Sequence, residues 1–186
     1  MTTASTATTP GLSGSQTIGP FFRYGLEWKN GEYAFPKDAP GEHIVLTGRL
    51  TDGAGNPIND SMIEFWQADS LGQFGGPTPG SCAGFARCNT NAEGRYTLHT
   101  VKPGVVAEAD GAAQAPHILV CLFSRGMLIQ LYTRVYFGDS SGNAGDPVLK
   151  AAGARAETLI AKPLGGGKYE WDIVLQGGRE TVFLDV

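Results

Sequence analysis

No apolar run in this chain approaches the roughly 20 residues that a bilayer-spanning helix needs, and no cluster of Lys or Arg interrupts its formal net charge of -4. The first lack argues against a membrane span, the second against a nucleic-acid backbone as partner. Cysteine is scarce: Cys82, Cys88 and Cys121 form an odd set without a Cys-x-x-Cys pair. Neither a disulfide framework nor a zinc ribbon follows from it, and the 82/88 spacing is wider than usual zinc pairs. The opening "MTTASTATTPGLSGSQ" has no basic n-region and no apolar h-region, so a cytoplasmic protein is expected. "GLSGS" at 11–15 lacks the spacing of a Gly-x-Ser-x-Gly nucleophile turn, and "GGG" at 165–167 has no following Lys-Ser/Thr, so it reads as a turn.

What is present is glycine, 27 of 186 residues, in a chain that is 41% hydrophobic and only 17% charged. That balance suits many short strands and tight turns better than a helical bundle. Length predicts one domain, spanning 15–186, behind a featureless Thr/Ala/Ser tail at 1–14 and beginning with an arm at 15–42. "HIVLTGRLTD" and "SMIEFWQAD", separated by "GAGNPIND", read as a hairpin with a long turn. "GRYTLHTV", "HILVCLFS", "MLIQLYTRVYF" and "YEWDIVLQG" supply further strands. "DPVLKAAGARAETLIA" is the one helical candidate, with Asp146 as N-cap, Pro147 at the first position and Gly153 splitting it into two short turns. The expected fold is all-β: an antiparallel β-sandwich with long loops and one short helical segment.

Few residues suggest chemistry. His43, His99 and His117 show no spacing that would clamp a metal locally. His117, inside "AQAPHILVCLF", reads as a strand histidine whose buried ring needs a hydrogen-bond partner, with a metal ligand as the sharper alternative. In "MLIQLYTRVYF" alternation puts Ile129, Leu131, Thr133, Val135 and Phe137 on the core face and Gln130, Tyr132, Arg134 and Tyr136 on the other. An Arg among Tyr rings either faces solvent or offers a bidentate contact to a planar carboxylate. "SQTIGPFF" combines Thr17, Gly19, Pro20 and Phe21 in a short extended run, which fits an arm packed on a partner, a pocket-lining loop, or a segment folded on its own core.

Several motifs in register resemble a known family. "SMIEFWQADSLGQF", "GRYTLHTVKPG", "APHI" and "TRVYF" resemble the intradiol ring-cleaving dioxygenases. "SQTIGP", "DAPGEHI", "LHTVKPGVV", "LIAKP" and "ETVFLDV" are similar to the alpha chains of its heteromeric, protocatechuate-cleaving members. The resemblance runs from about Ser15 to Val186.

The catalytic members of that family hold non-haem Fe(III) with two Tyr and two His. Matched motif by motif, those positions fall here on Phe74, Val106, His117 and Leu119, so three of four lack a donor and the set reads as vestigial. The family's Arg before the first ligand His and its Gln on the next strand fall on Gln114 and Arg134. The resemblance therefore implies a chain without catalytic residues or metal of its own, paired with a beta chain that binds Fe(III), in a higher hetero-oligomer. Thr17, Gly19, Pro20 and Phe21 would line the substrate entrance of that shared site, and Arg134 would face the carboxylate of protocatechuate. The complex would use O2 to give 3-carboxy-cis,cis-muconate. A stand-alone binding or structural β-module is the competing expectation, and a self-contained site of His117 with Tyr132 or Tyr136 is a third. The segment 74–93 is short for such a chain.

Overall fold

A computed structural model describes residues 13–75, 83–107 and 113–185. Residues 1–12 of the expected tail, and residues 76–82 of the shortened segment with Cys82, lie outside the described residues.

Eleven strands are described: β1 (His43–Thr51), β2 (Met62–Trp66), β3 (Phe85–Asn89), β4 (Arg95–Val101), β5 (Val106–Ala107), β6 (Ala113–Gln114), β7 (His117–Phe123), β8 (Leu131–Phe137), β9 (Ile160–Gly165), β10 (Lys168–Glu170) and β11 (Ile173–Val174). Nine form one sheet in the order β11-β1-β10-β9-β8-β7-β2-β3, with β4 paired to β1; β5 and β6 form a separate two-stranded ribbon. The architecture is mostly strand and nearly closed. The expected antiparallel sandwich is corrected to a mixed sheet, because β1 runs parallel to β10 and β11, and β8 runs parallel to β9. The β1–β2 hairpin is corrected as well. β1 pairs along its full length with β4, whereas β2 pairs with β3 and β7. The long turn closes locally instead, Thr51 bridging Pro57.

Period-two burial explains the pairing. In β1 the alternate residues Ile44, Leu46 and Leu50 are buried, and Ile118, Val120 and Leu122 of β7 enter the same core with Ile63 and Phe65 of β2. Each such side chain contributes about 1.5–3 kcal/mol by leaving water. Ile129 was expected on that face but is 66% exposed, because β8 starts only at Leu131. The interruption between the two parallel partners of β1 is imposed at Gly48: a Cβ there would lie 1.7 Å from the Trp171 carbonyl oxygen. Trp171 N–H donates to Thr47 O (2.8 Å) and Tyr96 OH to Trp171 O (2.6 Å), so the crossing chain is held against β1.

Helix α1 (Pro20–Leu26) occupies part of the arm expected to be extended, and α2 (Pro147–Ala152) is followed by a 3-10 segment, Gly153–Leu159, after the break expected at Gly153. With a further 3-10 turn at Ser141–Gly145, the helical content exceeds the one segment expected. Asp146 caps α2 as its sequence position predicts, accepting from Val148 N and Leu149 N. Among the described residues no helix is long and apolar enough to cross a membrane.

Candidate functional site

Strands β3, β2, β7 and β8 lie side by side, and their register sets rows of side chains across the face turned away from the core. One row is Phe85, Trp66, Leu119 and Arg134; the next is Arg87, Glu64, Cys121 and Tyr132. Beyond the first row His117 stands opposite Tyr136.

The positions that the resemblance aligns with metal ligands lie toward this end. Phe74 stacks on Trp66 (ring centroids 6.0 Å), Trp66 is the cross-strand neighbour of Leu119, and Leu119 is that of Arg134. Arg134 donates through Nη1 to Gln114 Oε1 (2.7 Å) and to Tyr136 OH (3.4 Å), and Gln114 pairs with Val106 in the β5–β6 ribbon. Phe74, Val106, His117, Leu119 and Arg134 therefore share one neighbourhood. Within one chain Thr17 and Phe22 contact Gly126 and Phe123 instead, whereas the later arm residues Trp28, Phe35 and Pro40 line a pocket with Phe74 and Phe85.

His117 is 3% exposed, and its Nδ1 lies 2.8 Å from Ala115 O, which leaves Nε2 as the ring acceptor. That is the orientation a metal-binding imidazole usually takes. Burial holds its pKa below the ordinary value and the charge of Arg134 adds to the effect, against the Ala115 hydrogen bond and Asp146. Burial pushes the Tyr136 phenol well above its ordinary range, and its OH donates to Asp146 Oδ1 (2.9 Å). Phe, Val and Leu bring no lone pair, so His117 is the one donor among the four positions. This donor set does not fit Fe(III). Among the described residues no three His, Cys, Asp or Glu side chains gather at metal-holding distance. His43 instead bonds Ala39 O (2.8 Å), and His99 stacks on Tyr33 (4.5 Å).

Asp146, fully buried, ties this neighbourhood together. Its Oδ2 accepts from Ala115 N (3.0 Å), two residues before His117, and its Oδ1 accepts from Tyr136 and the start of α2. Its helix-capping position was legible in sequence. Its link to the neighbourhood of His117 and Arg134 was not, because those contacts join Asp146 to Ala115, 31 positions away, and to Tyr136, 10 positions away.

The arm lies across the other end of the same face. Thr17 Oγ1 accepts from Gly126 N (2.7 Å) in the β7–β8 turn, and Phe22 packs on Phe123 (5.4 Å). Gly19 is exposed and Phe21 is 85% exposed, while Pro20 opens α1. Arg125, next to Gly126, is an exposed cation beside this anchor, 3.6 Å from Asp60, and went unnoticed in the sequence because nothing local marks it. Arg87 and Glu64 were also missed, although β3 has the alternation that would place Phe85, Arg87 and Asn89 on one face.

A mostly-strand, nearly closed mixed sheet with little helix defines a fold class. The Dioxygenase family model matches residues 18–177, and the chain belongs to the intradiol dioxygenase family. It is 44% identical to the protocatechuate 3,4-dioxygenase alpha chain of Pseudomonas putida, over 92% of this chain and 94% of that one. Its identity to the protocatechuate 3,4-dioxygenase beta chain of Burkholderia cepacia is 34%, over 76% and 67%. Among solved structures, the dioxygenase domain of a carbohydrate-binding fusion from Streptomyces sp. SirexAA-E superposes with a TM-score of 0.61 at 22% identity, over 88% of this chain and 99% of that one.

Proposed function

We propose that this chain is the alpha subunit of a protocatechuate 3,4-dioxygenase, which completes the active site of an iron-bearing beta subunit in a cytoplasmic hetero-oligomer. The observation that carries this reading is that Phe74, Val106, His117 and Leu119 lie toward one end of the outer face, linked through Trp66, Arg134 and Gln114, with a single metal donor among them. Positions that align with ligands but hold a single donor fit a chain whose chemistry is done next door. The length-spanning likeness to an alpha chain supports the same reading.

In the complex the partner's Fe(III) supplies the electronic work of splitting the ring bond between the two hydroxyl-bearing carbons with O2, giving 3-carboxy-cis,cis-muconate. This chain's residues bind, orient and exclude water. Thr17, Gly19 and Pro20 line the entrance, Gly19 letting substrate approach the backbone closely, and Phe21 covers it with an apolar ring. Arg134 supplies positive charge toward the substrate carboxylate. Removing the arm through Gly19 from the co-expressed complex should raise KM for protocatechuate while iron content stays the same. An unchanged KM would remove the arm from the site.

Arg134→Ala should raise KM for protocatechuate about tenfold and for catechol hardly at all, the loss of one charge-assisted contact being worth about 1.5–3 kcal/mol. Equal effects on both substrates would end its carboxylate role. The same comparison with Arg125→Ala separates the buried-side cation from the one beside the arm.

A further inference from the structure

Strand β3 spends its outward side chains on a single task. Phe85 stacks on Trp28 (6.0 Å, 17°), Asn89 Nδ2 donates to Glu27 Oε1 (2.6 Å), and between them Arg87 touches the chain where it leaves α1 at three points. Its Nη1 donates to Leu26 O (2.7 Å), its guanidinium carbon sits 4.9 Å from the Trp28 ring centre, and its backbone N–H donates to Gly31 O (2.7 Å). Leu26 ends α1, so its carbonyl belongs to the last turn, where a cation is favourable. Glu64, the cross-strand neighbour, holds the other edge of the guanidinium through Nε (2.9 Å) and Nη2, and the Arg87 side chain is only 14% exposed. A flat cation with donors on several edges is what this arrangement requires; a lysine ammonium could keep Glu64 but not also Leu26 O and the indole face.

We propose that Arg87 is a positioning residue for the shared active site: it latches the exit of α1 so that Thr17, Gly19 and Pro20 reach the partner's substrate entrance at one angle. The inference rests on the reading that the arm completes the partner's site. The arm has two further anchors, Thr17 on Gly126 and Phe22 on Phe123, both nearer its free end. They fix where the arm lies, whereas Arg87 fixes the direction from which α1 enters.

The test uses the co-expressed complex in four forms: unaltered, Arg87→Lys, Glu64→Gln with Arg87→Met, and the arm truncated through Gly19. Arg87→Lys keeps the ion pair and loses the latch; the double variant removes both charges, so no buried carboxylate is stranded. Both should raise KM for protocatechuate about 5-fold or more with iron content, subunit ratio and kcat nearly unchanged, since a misplacement of about 1 Å in a positioning group costs up to about 100-fold in kcat/KM. If truncation raises KM and Arg87→Lys does not, the latch is wrong and the arm reading stands. If truncation itself changes nothing, the arm reading fails first. Loss of iron or of subunit stoichiometry in both Arg87 variants would make Arg87 a folding residue and overturn the inference.

Discussion

His117 shows what burial does to a single ionisable ring here. Its folded pKa lies below the ordinary imidazole value of 6.5, chiefly through desolvation. Between the depressed folded value and 6.5 the unfolded chain binds more protons than the folded one, so stability rises with pH through that window. The contribution is fully present above pH 6.5 and is lost as pH falls toward the folded pKa. Denaturant titrations between pH 7.5 and 5 should show a loss of stability in the native chain that His117→Gln flattens; parallel curves would contradict the burial argument. The thiols make a second prediction. Burial pushes Cys121 up to about 11 and Cys88 higher still, so neither side chain should alkylate appreciably at pH 8, as mass mapping of iodoacetamide-treated protein would report. The side to which Arg134 points was legible, because alternation in "TRVYF" is enough to set it. Its contact with Gln114 was not, since the two-residue strands β5 and β6 are too short to carry a periodic signal.

At the scale of elements, Asp146 joins α2, β8 and the strand that carries His117. Replacing it with Ala leaves Ala115 N, the first turn of α2 and Tyr136 OH without their common acceptor. A buried, four-contact carboxylate should cost about 3 kcal/mol or more on that count, against about 1 for an ordinary cap. Urea unfolding measures it, and a loss under about 1 kcal/mol would reduce Asp146 to a simple cap. Sequence pattern was sound for β1, β4, β7 and the broken helix after Pro147, where period-two burial, β-branched residues and a Pro/Gly pair act locally. It failed for the β1–β2 pairing, because adjacency along the chain was weighed above the long-range register that β4 and β7 offer. It failed too at α1, where "PFFRYGL" is too short to show a helical stripe. Gly48 was unreadable for the same reason: its need comes from Trp171, more than a hundred residues away, and Gly48→Ala should prevent the β1 crossing and abolish soluble expression.

At the scale of the molecule, the mixed, nearly closed sheet presents one outer face with two occupied ends, the neighbourhood of His117 and Arg134 and the start of the arm. The parallel pairs that close the sheet bring the C-terminal strands beside β1 and β8, an arrangement that no local turn signal encodes. The exposed Phe21 and Tyr24 of the arm, and Leu128 and Ile129 within the β7–β8 connection, are apolar surface of the sort an interface covers. The central claim is that the iron of the complex belongs to the partner chain. The most direct measurement is iron content together with the visible Tyr-to-Fe(III) charge-transfer absorption, on this chain expressed alone and then with its beta chain. The account predicts a colourless, iron-free lone chain and a coloured complex with one iron per beta chain; iron and colour in the lone chain would contradict it.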